Sequence, residues 1–263
     1  MLARLVADND PDFLACADDR DWRPEWRVEL ISTYKTHRVA PGSESPQATA
    51  EDALEHQLPI LYEILEACRI PIVGFDGYEA EDVIGTLAHR APGPVRIVSG
   101  DRDLFQLVAD PKIVVLYPKR GVSEVVKVNG SYIESKYGIS GNAYADFAIM
   151  RGDPSDGLPG VPGIGEKTAA TLLAKYGSLE RIVEAAITGD GAGALGKVKM
   201  NLDYLDRAVK VVTIPTDLPI PDVDLSRPRE EPPSDVLELA ETYGLAGPVR
   251  RLAAALTGSS DGG

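Results

Sequence analysis

The chain has 263 residues, 44% of them hydrophobic, with 25 glycines and 20 prolines. That length holds one large domain or two modest ones with a proper core, and the apolar content excludes collagen-like, low-complexity and natively disordered chains. The balance of 27 basic against 41 acidic residues, net −14, argues against a protein that coats nucleic acid with a general positive field; it leaves room for DNA binding where positive charge is local or metals neutralise the acid.

Apolar runs are short, so no membrane-spanning helix is expected. The start, MLARLVADNDPDF, has no apolar region ahead of a small-residue cleavage site, so it does not read as a secretory signal. With Cys16 and Cys68 as the only cysteines, neither a disulfide framework nor a Cys-rich zinc site fits, and a cytoplasmic protein is the default.

In chain order, residues 12–17 (DFLACA) read as a buried strand. The segment 20–48 is the most basic and aromatic stretch, with Trp22, Arg23, Trp26, Arg27, Tyr34, Lys35, His37 and Arg38 ahead of PGSESPQ. Residues 51–68 have helical apolar spacing, 70–75 (IPIVGF) are β-rich, and 79–90 return to a helical period. Residues 95–100 and 112–118 are two more strand-like runs flanking the short helix DLFQLV. The alternation predicts an α/β layer with a mostly parallel central sheet flanked by helices. From about residue 148 the strand signal gives way to helices joined by Gly/Pro turns, which places a second, helical domain at 149–263 after an α/β domain at 1–148. Residues 221–235 read as a linker or surface loop, 235–243 and 248–256 as short helices, and TGSSDGG as a frayed end.

Three acidic clusters sit after apolar runs or in turns: Glu79, Glu81 and Asp82; Asp101 and Asp103; Asp153 and Asp156. The first two fall where the carboxyl ends of parallel strands should lie, the usual ligand crevice of such sheets. An oxygen-only set selects hard divalent ions such as Mg²⁺ or Mn²⁺, and two of these can activate a water and stabilise the leaving oxygen of a phosphodiester. The plain alternative is helix-dipole complements and Asx turns, which for any one cluster is about equally good. In GVPGIGEKTA, Gly163 and Gly165 flank a tight turn into a helix with Lys167 in its first turn, and exposed N–H groups there bind phosphate oxygens; an ordinary helical hairpin loop is the alternative. Arg27, Tyr34, Lys35 and Arg38 can hold a phosphate backbone and stack a base, or can form a solvated amphipathic helix. His37, His56 and His89 are scattered and read as surface residues, and the cysteines as small buried hydrophobes.

Taken in order, WRVELISTYKTHR, GYEAEDVIGTLA, IVSGDRDLFQLV, MRGDPSDGLPGVPGIGEKTAATLLAKYGSLE and NLDYLDRAVKVVTIPTDLP resemble the bacterial 5′-nuclease (flap endonuclease) family, which includes the N-terminal domain of DNA polymerase I. The resemblance runs from about residue 13 to 220. It implies a PIN-like nuclease core with a helical arch at 20–48, followed by a helix-hairpin-helix domain. Glu79, Glu81, Asp82, Asp101, Asp103, Asp153 and Asp156 are then similar to metal-site carboxylates. Asp18 matches the acid after the family's second strand, with Asp19 the alternative. Lys35 and Arg38 resemble arch cations that approach the scissile phosphate, Tyr34 an arch aromatic that stacks a base, and Arg27 a neighbouring DNA contact. Gly163, Gly165 and Lys167 match the hairpin that grips the duplex, with a potassium ion on its loop carbonyls. Position 81 is Glu where bacterial relatives usually carry Asp.

Family members open with a strand reading roughly Leu-Leu-Asp-Gly whose Asp ligates metal, and Met1 falls after it, so an internal Met taken as the start is the preferred expectation. The implied function is a structure-specific 5′ nuclease using two or more Mg²⁺ or Mn²⁺ ions on branched or flapped duplex DNA with a 5′ single-stranded end, in replication and repair, with no membrane partner. The alternative is a catalytically impaired, truncated paralogue that binds branched DNA. A PIN-like ribonuclease is a third reading, against which the intact hairpin motif counts.

Overall fold

The computed structural model describes residues 1–38, 56–120, 124–189 and 192–258. Residues 39–48 of the expected arch, the start of the helix expected from 51 and the end at 259–263 lie outside them. Two compact units form, and neither is one continuous segment: the first takes Met1–Asp18, Gly42–Phe75 and Pro219–Gly263, the second Asp19–Pro41 and Asp76–Leu218.

In the first unit, α1 (Leu2–Asn9), α3 (Leu58–Ala67), α11 (Ser234–Thr242) and α12 (Ala246–Thr257) close over a core that includes Val6, Ile64, Leu65, Val236 and Leu252. Strand β1 (Cys16–Ala17) runs parallel to β2 (Ile72–Val73). The strand expected over 12–17 is thus only two residues long. Its N-terminal half pairs elsewhere: Phe13 bridges Ser226 and the Leu14 N–H donates to the Leu225 carbonyl at 2.8 Å. The supposed linker around 221–235 therefore supplies backbone partners to 12–14, and its Arg227 is buried and paired with Asp10 at 2.7 Å.

The second unit holds β3 (Val95–Val98), β4 (Ile113–Arg120) and β5 (Glu124–Val128), with β3–β4 parallel and β4–β5 antiparallel. Antiparallel β5 is an element the sequence reading passed over. The same unit holds α2 (Glu25–Leu30), α4 (Ala80–Arg90), α5 (Gly130–Tyr137), α6 (Tyr144–Arg151), α7 (Glu166–Tyr176), α8 (Leu179–Thr188), α9 (Gly193–Lys199) and α10 (Leu202–Val212). Helix α4 starts with Glu81 and Asp82 and ends with His89 and Arg90, a charge order that complements its dipole. Asn129 caps α5 by accepting from the Tyr132 N–H, and Ser178 caps α8 by accepting from Arg181. Strand β3 stops just before Asp101, so the parallel pair delivers Asp101 and the 3₁₀ turn Asp103–Leu107 at its carboxyl end. Among the described residues no helix is long and apolar enough to cross a membrane.

Candidate active site

A cleft of about 660 Å³ in the second unit is lined by Asp101, Asp103, Asp153 and Asp156 together with Arg38, Arg102, Arg151, Tyr117, Ser155 and Glu166. Two chain segments bring these acids together. Asp101 and Asp103 follow β3, where the Asp103 N–H donates to Asp101 Oδ1 at 2.8 Å. Asp153 and Asp156 lie in a turn closed by paired bonds between Asp153 and Leu158, at 3.0 and 2.8 Å.

That turn is stapled to the segment after α2. The Lys35 N–H donates to the Asp156 carbonyl at 2.9 Å, Thr33 Oγ1 donates to the Gly157 carbonyl at 2.7 Å, and Arg38 reaches Ser155 O and Asp156 Oδ1, each at 3.2 Å. Gly157 makes the approach possible. It sits at φ +70°, and a Cβ there would lie 2.1 Å from the Thr33 carbonyl oxygen.

The acids of the first cluster have a different fate. Arg27 is 1% exposed; its guanidinium spans the Asp82 carboxylate at 2.7 and 3.0 Å, lies 3.4 Å from Glu79 and donates Nε–H to the Val211 carbonyl at 3.2 Å. Burial alone would lower the Arg27 pKa, but Asp82, Tyr34 and Glu79 outweigh it and hold the guanidinium above its usual value. The Tyr34 hydroxyl, 2% exposed, donates to Glu79 at 2.9 Å, and burial and then the Glu79 charge keep it neutral. Lys35, 5% exposed and in the left-handed region at φ +48°, places its ammonium 2.7 Å from Glu79 Oε2. Asp82 also accepts the Glu79 N–H at 3.0 Å at the start of α4. Arg27, Tyr34 and Lys35 therefore do not form the solvated basic-aromatic face that their spacing suggests. They are interior partners of Glu79 and Asp82, because two buried carboxylates need compensation in place.

Glu81 lies between the two groups: burial, then the Glu79 charge, push its carboxyl well up, with Lys35 opposing and Asp101 adding. Burial also raises Asp103, reinforced by Asp101, Asp156 and Asp153 and by a hydrogen bond shared with the Asp156 side chain. Asp101 is raised by burial and by Asp156 and Asp153, against the Asp103 N–H and Lys35. Carboxylates that share a hydrogen bond must hold a proton or a cation between them. This all-oxygen, crowded donor set fits a hard divalent cation, with Asp101, Asp103, Asp153 and Asp156 as the residues that would hold it.

Among the described residues no three His, Cys, Asp or Glu side chains already surround a common point as a metal would require. The oxygens are turned to protein partners instead: Asp153 to Arg151 at 3.2 Å and to the Ser155 N–H, Asp156 to Arg38. Asp18 stands at the end of β1 in the first unit, where it accepts from the Tyr62 hydroxyl. Asp19 is in the second unit and accepts the Ala80 N–H, between Glu79 and Glu81, at 3.2 Å. The histidines are exposed, as read.

The hairpin stands on α6 and α10. The Val161 N–H donates to the Met150 carbonyl at 2.9 Å, and the Tyr204 hydroxyl accepts from Gly160 and donates to Ile149. Gly163 has φ +77° and its carbonyl accepts from Lys197 Nζ at 2.9 Å; Gly165 precedes α7, and Lys167 in its first turn is exposed. Arg102, Tyr117, Arg151 and Glu166 are cleft residues the sequence reading missed. Arg102 lies between two singled-out acids, Arg151 directly precedes the Gly-Asp-Pro turn and Glu166 adjoins Lys167, so those three carried a positional signal; Tyr117, within a strand, carried none.

The chain matches two family descriptions: "5′-3′ exonuclease, N-terminal resolvase-like domain" over residues 1–138 and "5′-3′ exonuclease, C-terminal SAM fold" over residues 139–234. It is 48% identical over 262 residues to a 5′-3′ exonuclease of Streptomyces coelicolor, covering 97% of this chain and 87% of that one. It is 42% identical over 274 residues to a 5′-3′ exonuclease of Mycobacterium tuberculosis, covering 97% and 85%. DNA polymerase I of Mycobacterium tuberculosis is 39% identical over 84% of this chain and 23% of its own. Among solved structures, the phage T5 D15 protein co-crystallised with metal ions superposes with a TM-score of 0.66 at 17% identity, covering 98% of this chain and 90% of that one. A complex of the T5 D15 flap endonuclease with DNA and metal ions gives 0.67 at 16% identity, covering 96% and 88%. At these identities the superpositions establish the fold, a PIN-like core with a helical C-terminal part. The sequence matches establish the rest: the chain belongs to the 5′-3′ exonuclease family of metal-dependent nucleases.

Proposed function

We propose that the chain is a structure-specific 5′ nuclease, with 5′-3′ exonuclease and flap endonuclease action, that hydrolyses phosphodiester bonds of branched duplex DNA with a 5′ single-stranded end, in the cytoplasm, in replication and repair. The observation that carries this is the crowding of Asp101, Asp103, Asp153 and Asp156 in one open cleft with Arg38 at its rim. Two or more Mg²⁺ or Mn²⁺ ions held there would supply Lewis-acid stabilisation and a water of lowered pKa. The protein's own share is positioning. Asp101 and Asp103 are fixed by their backbone bond, Asp153 and Asp156 by the closed turn, and Arg38 places positive charge where a phosphate would develop more negative charge. Lys35 holds Glu79 and anchors the Asp156 turn, so its contribution to the phosphate runs through that anchored geometry. Glu79 and Asp82 are assigned to the buried network, Glu81 to the edge of the metal cluster, and Asp19 is favoured over Asp18 as its neighbour.

Lys167 and the N–H groups at Gly163 and Gly165 grip the duplex backbone through the hairpin, with a potassium ion on its carbonyls as the accompanying cation. Recognition of this kind is of shape and backbone, so it is salt-sensitive and indifferent to sequence. The test is cleavage of a 5′-flap DNA with Mg²⁺ or Mn²⁺ by wild type, Asp153→Asn, and Asp101→Asn with Asp103→Asn. Wild type cuts and the variants bind without cutting; equal rates in all three would remove the cluster from the chemistry.

A further inference from the structure

Three arginines line the carboxylate cleft, and they are not equivalent. Arg38 is paired with Asp156 at 3.2 Å, and Arg151 with Asp153 at 3.2 Å and Glu166 at 3.4 Å. Arg102 is exposed, and among the described residues no carboxylate pairs with it; the group that acts on its guanidinium first is the Tyr117 hydroxyl, which lines the same cleft. Tyr117 stands on β4, and its ring meets Phe105 edge-on at 5.5 Å and 72°, with Phe105 only 1% exposed. Arg102 also lies in the chain between Asp101 and Asp103, so its backbone is fixed by the same Asp103-to-Asp101 hydrogen bond that orders the acids.

A guanidinium with unspent charge, beside a tyrosine hydroxyl at the lip of an acidic cleft, can offer its fork of N–H donors to the two free oxygens of a phosphate arriving from outside. A single nucleic-acid strand crossing the cleft offers one at each linkage. We propose that Arg102, braced by Tyr117, grips a phosphate of the substrate strand next to the one that lies over the carboxylates, and so sets which linkage is presented for cleavage. This deepens the nuclease reading and rests on it. Arg102 touches the strand, whereas Tyr117 acts through Arg102 as a positioning residue.

The experiment measures binding of a fluorescent 5′-flap DNA to the full chain in EDTA across a salt series, and cleavage of the same DNA in Mg²⁺. Losing one phosphate contact makes the log–log salt slope shallower by about 1, and that is expected for Arg102→Ala. Arg102→Lys keeps the slope, because the charge remains. Tyr117→Phe keeps the slope and the melting temperature but raises KM more than it lowers kcat, a split that loss of packing alone would not give. A flap carrying a neutral methylphosphonate at one linkage beside the cleavage point should weaken binding of wild type and leave Arg102→Ala indifferent. An Arg102→Ala slope equal to wild type overturns the proposal, as does equal methylphosphonate sensitivity in both. A flattened slope in a protein that never cleaves sustains the grip while the nuclease reading falls; cleavage with an unchanged slope does the reverse. A wild type that binds no flap DNA overturns both.

Discussion

Replacing Arg27 by Met separates the two roles that this residue could have. Its side chain is 1% exposed, against Asp82 at 0% and Glu79 at 2%, so the guanidinium is the cation that compensates two carboxylates away from water. Met keeps much of the volume and removes the charge, the fork to Asp82 and the donor to Val211 O. Breaking a buried pair from one side costs about 3–5 kcal/mol, because the remaining carboxylate is stranded. That is a large part of the roughly 5–15 kcal/mol that holds a domain folded. For a chain of this size it corresponds to a melting temperature lower by roughly 6–20 °C. Urea unfolding followed by far-UV circular dichroism reads the loss as a shift in midpoint at constant slope. Arg27→Lys should recover only part of it, since an ammonium cannot span both Asp82 oxygens. A surface DNA contact behaves in the opposite way: unchanged midpoint and a weaker, less salt-dependent flap complex. A midpoint within about 1 kcal/mol of wild type, on the scale of an exposed ion pair, would refute the interior assignment.

Gly157→Ala should cost at least about 2 kcal/mol, from the left-handed backbone and the 2.1 Å overlap with Thr33 O, and should slow cleavage; a melting curve identical to wild type would show that the Asp156 turn need not sit on Thr33. In EDTA the crowded acids give a pH signature. Asp103, held well above its ordinary 3.8 in the folded state, binds more protons folded than unfolded, so its contribution to stability is present below that range and is lost as pH rises through the raised pKa. Melting temperature compared with Asp103→Asn should therefore fall across that window, Mg²⁺ should restore it, and a constant difference would contradict the crowding. Lys167→Ala should flatten the salt slope of flap binding by about 1 while leaving the single-turnover rate at saturation unchanged; a slowed chemical step would place Lys167 elsewhere.

Much of this architecture was legible because short-range signals and function coincide. Apolar runs locate β3 and β4, and acids just beyond an apolar run or inside a Gly/Pro turn locate the cleft floor at 101, 103, 153 and 156. What escaped depends on partners far along the chain. Arg27 and Asp82 are 55 positions apart, and no local pattern tells a basic helix facing water from one facing a buried carboxylate 55 residues later. The same holds for 12–14 and 225–227, whose mutual bonds convert an apparent linker into a strand partner. Strand β5 (Glu124–Val128) escaped as well, because over five residues period-2 alternation has little length in which to show.

The acidic residues near the cleft divide by how their charge is met. Glu79 and Asp82 are matched inside the protein by Arg27 and Lys35 and by the Tyr34 hydroxyl, a group balanced before any ligand arrives. Among the described residues, Asp101, Asp103, Asp153 and Asp156 have only Arg38 and Arg151 paired with them, and the carboxyls at 101 and 103 are raised by burial and, beyond it, by the neighbouring acids. The balanced group therefore contributes rigidity, and the unbalanced group contributes appetite for cations. Lys35 joins the two, its ammonium on Glu79 and its N–H on the Asp156 carbonyl. The position of the cleft turn is thus set by an interior ion pair, and a divalent cation entering the cleft meets acids whose backbone is already fixed. A net charge of −14 is compatible with holding DNA on these terms, because the surplus acid lies where metal would neutralise it, while the proposed phosphate contacts Lys167 and Arg102 are exposed cations.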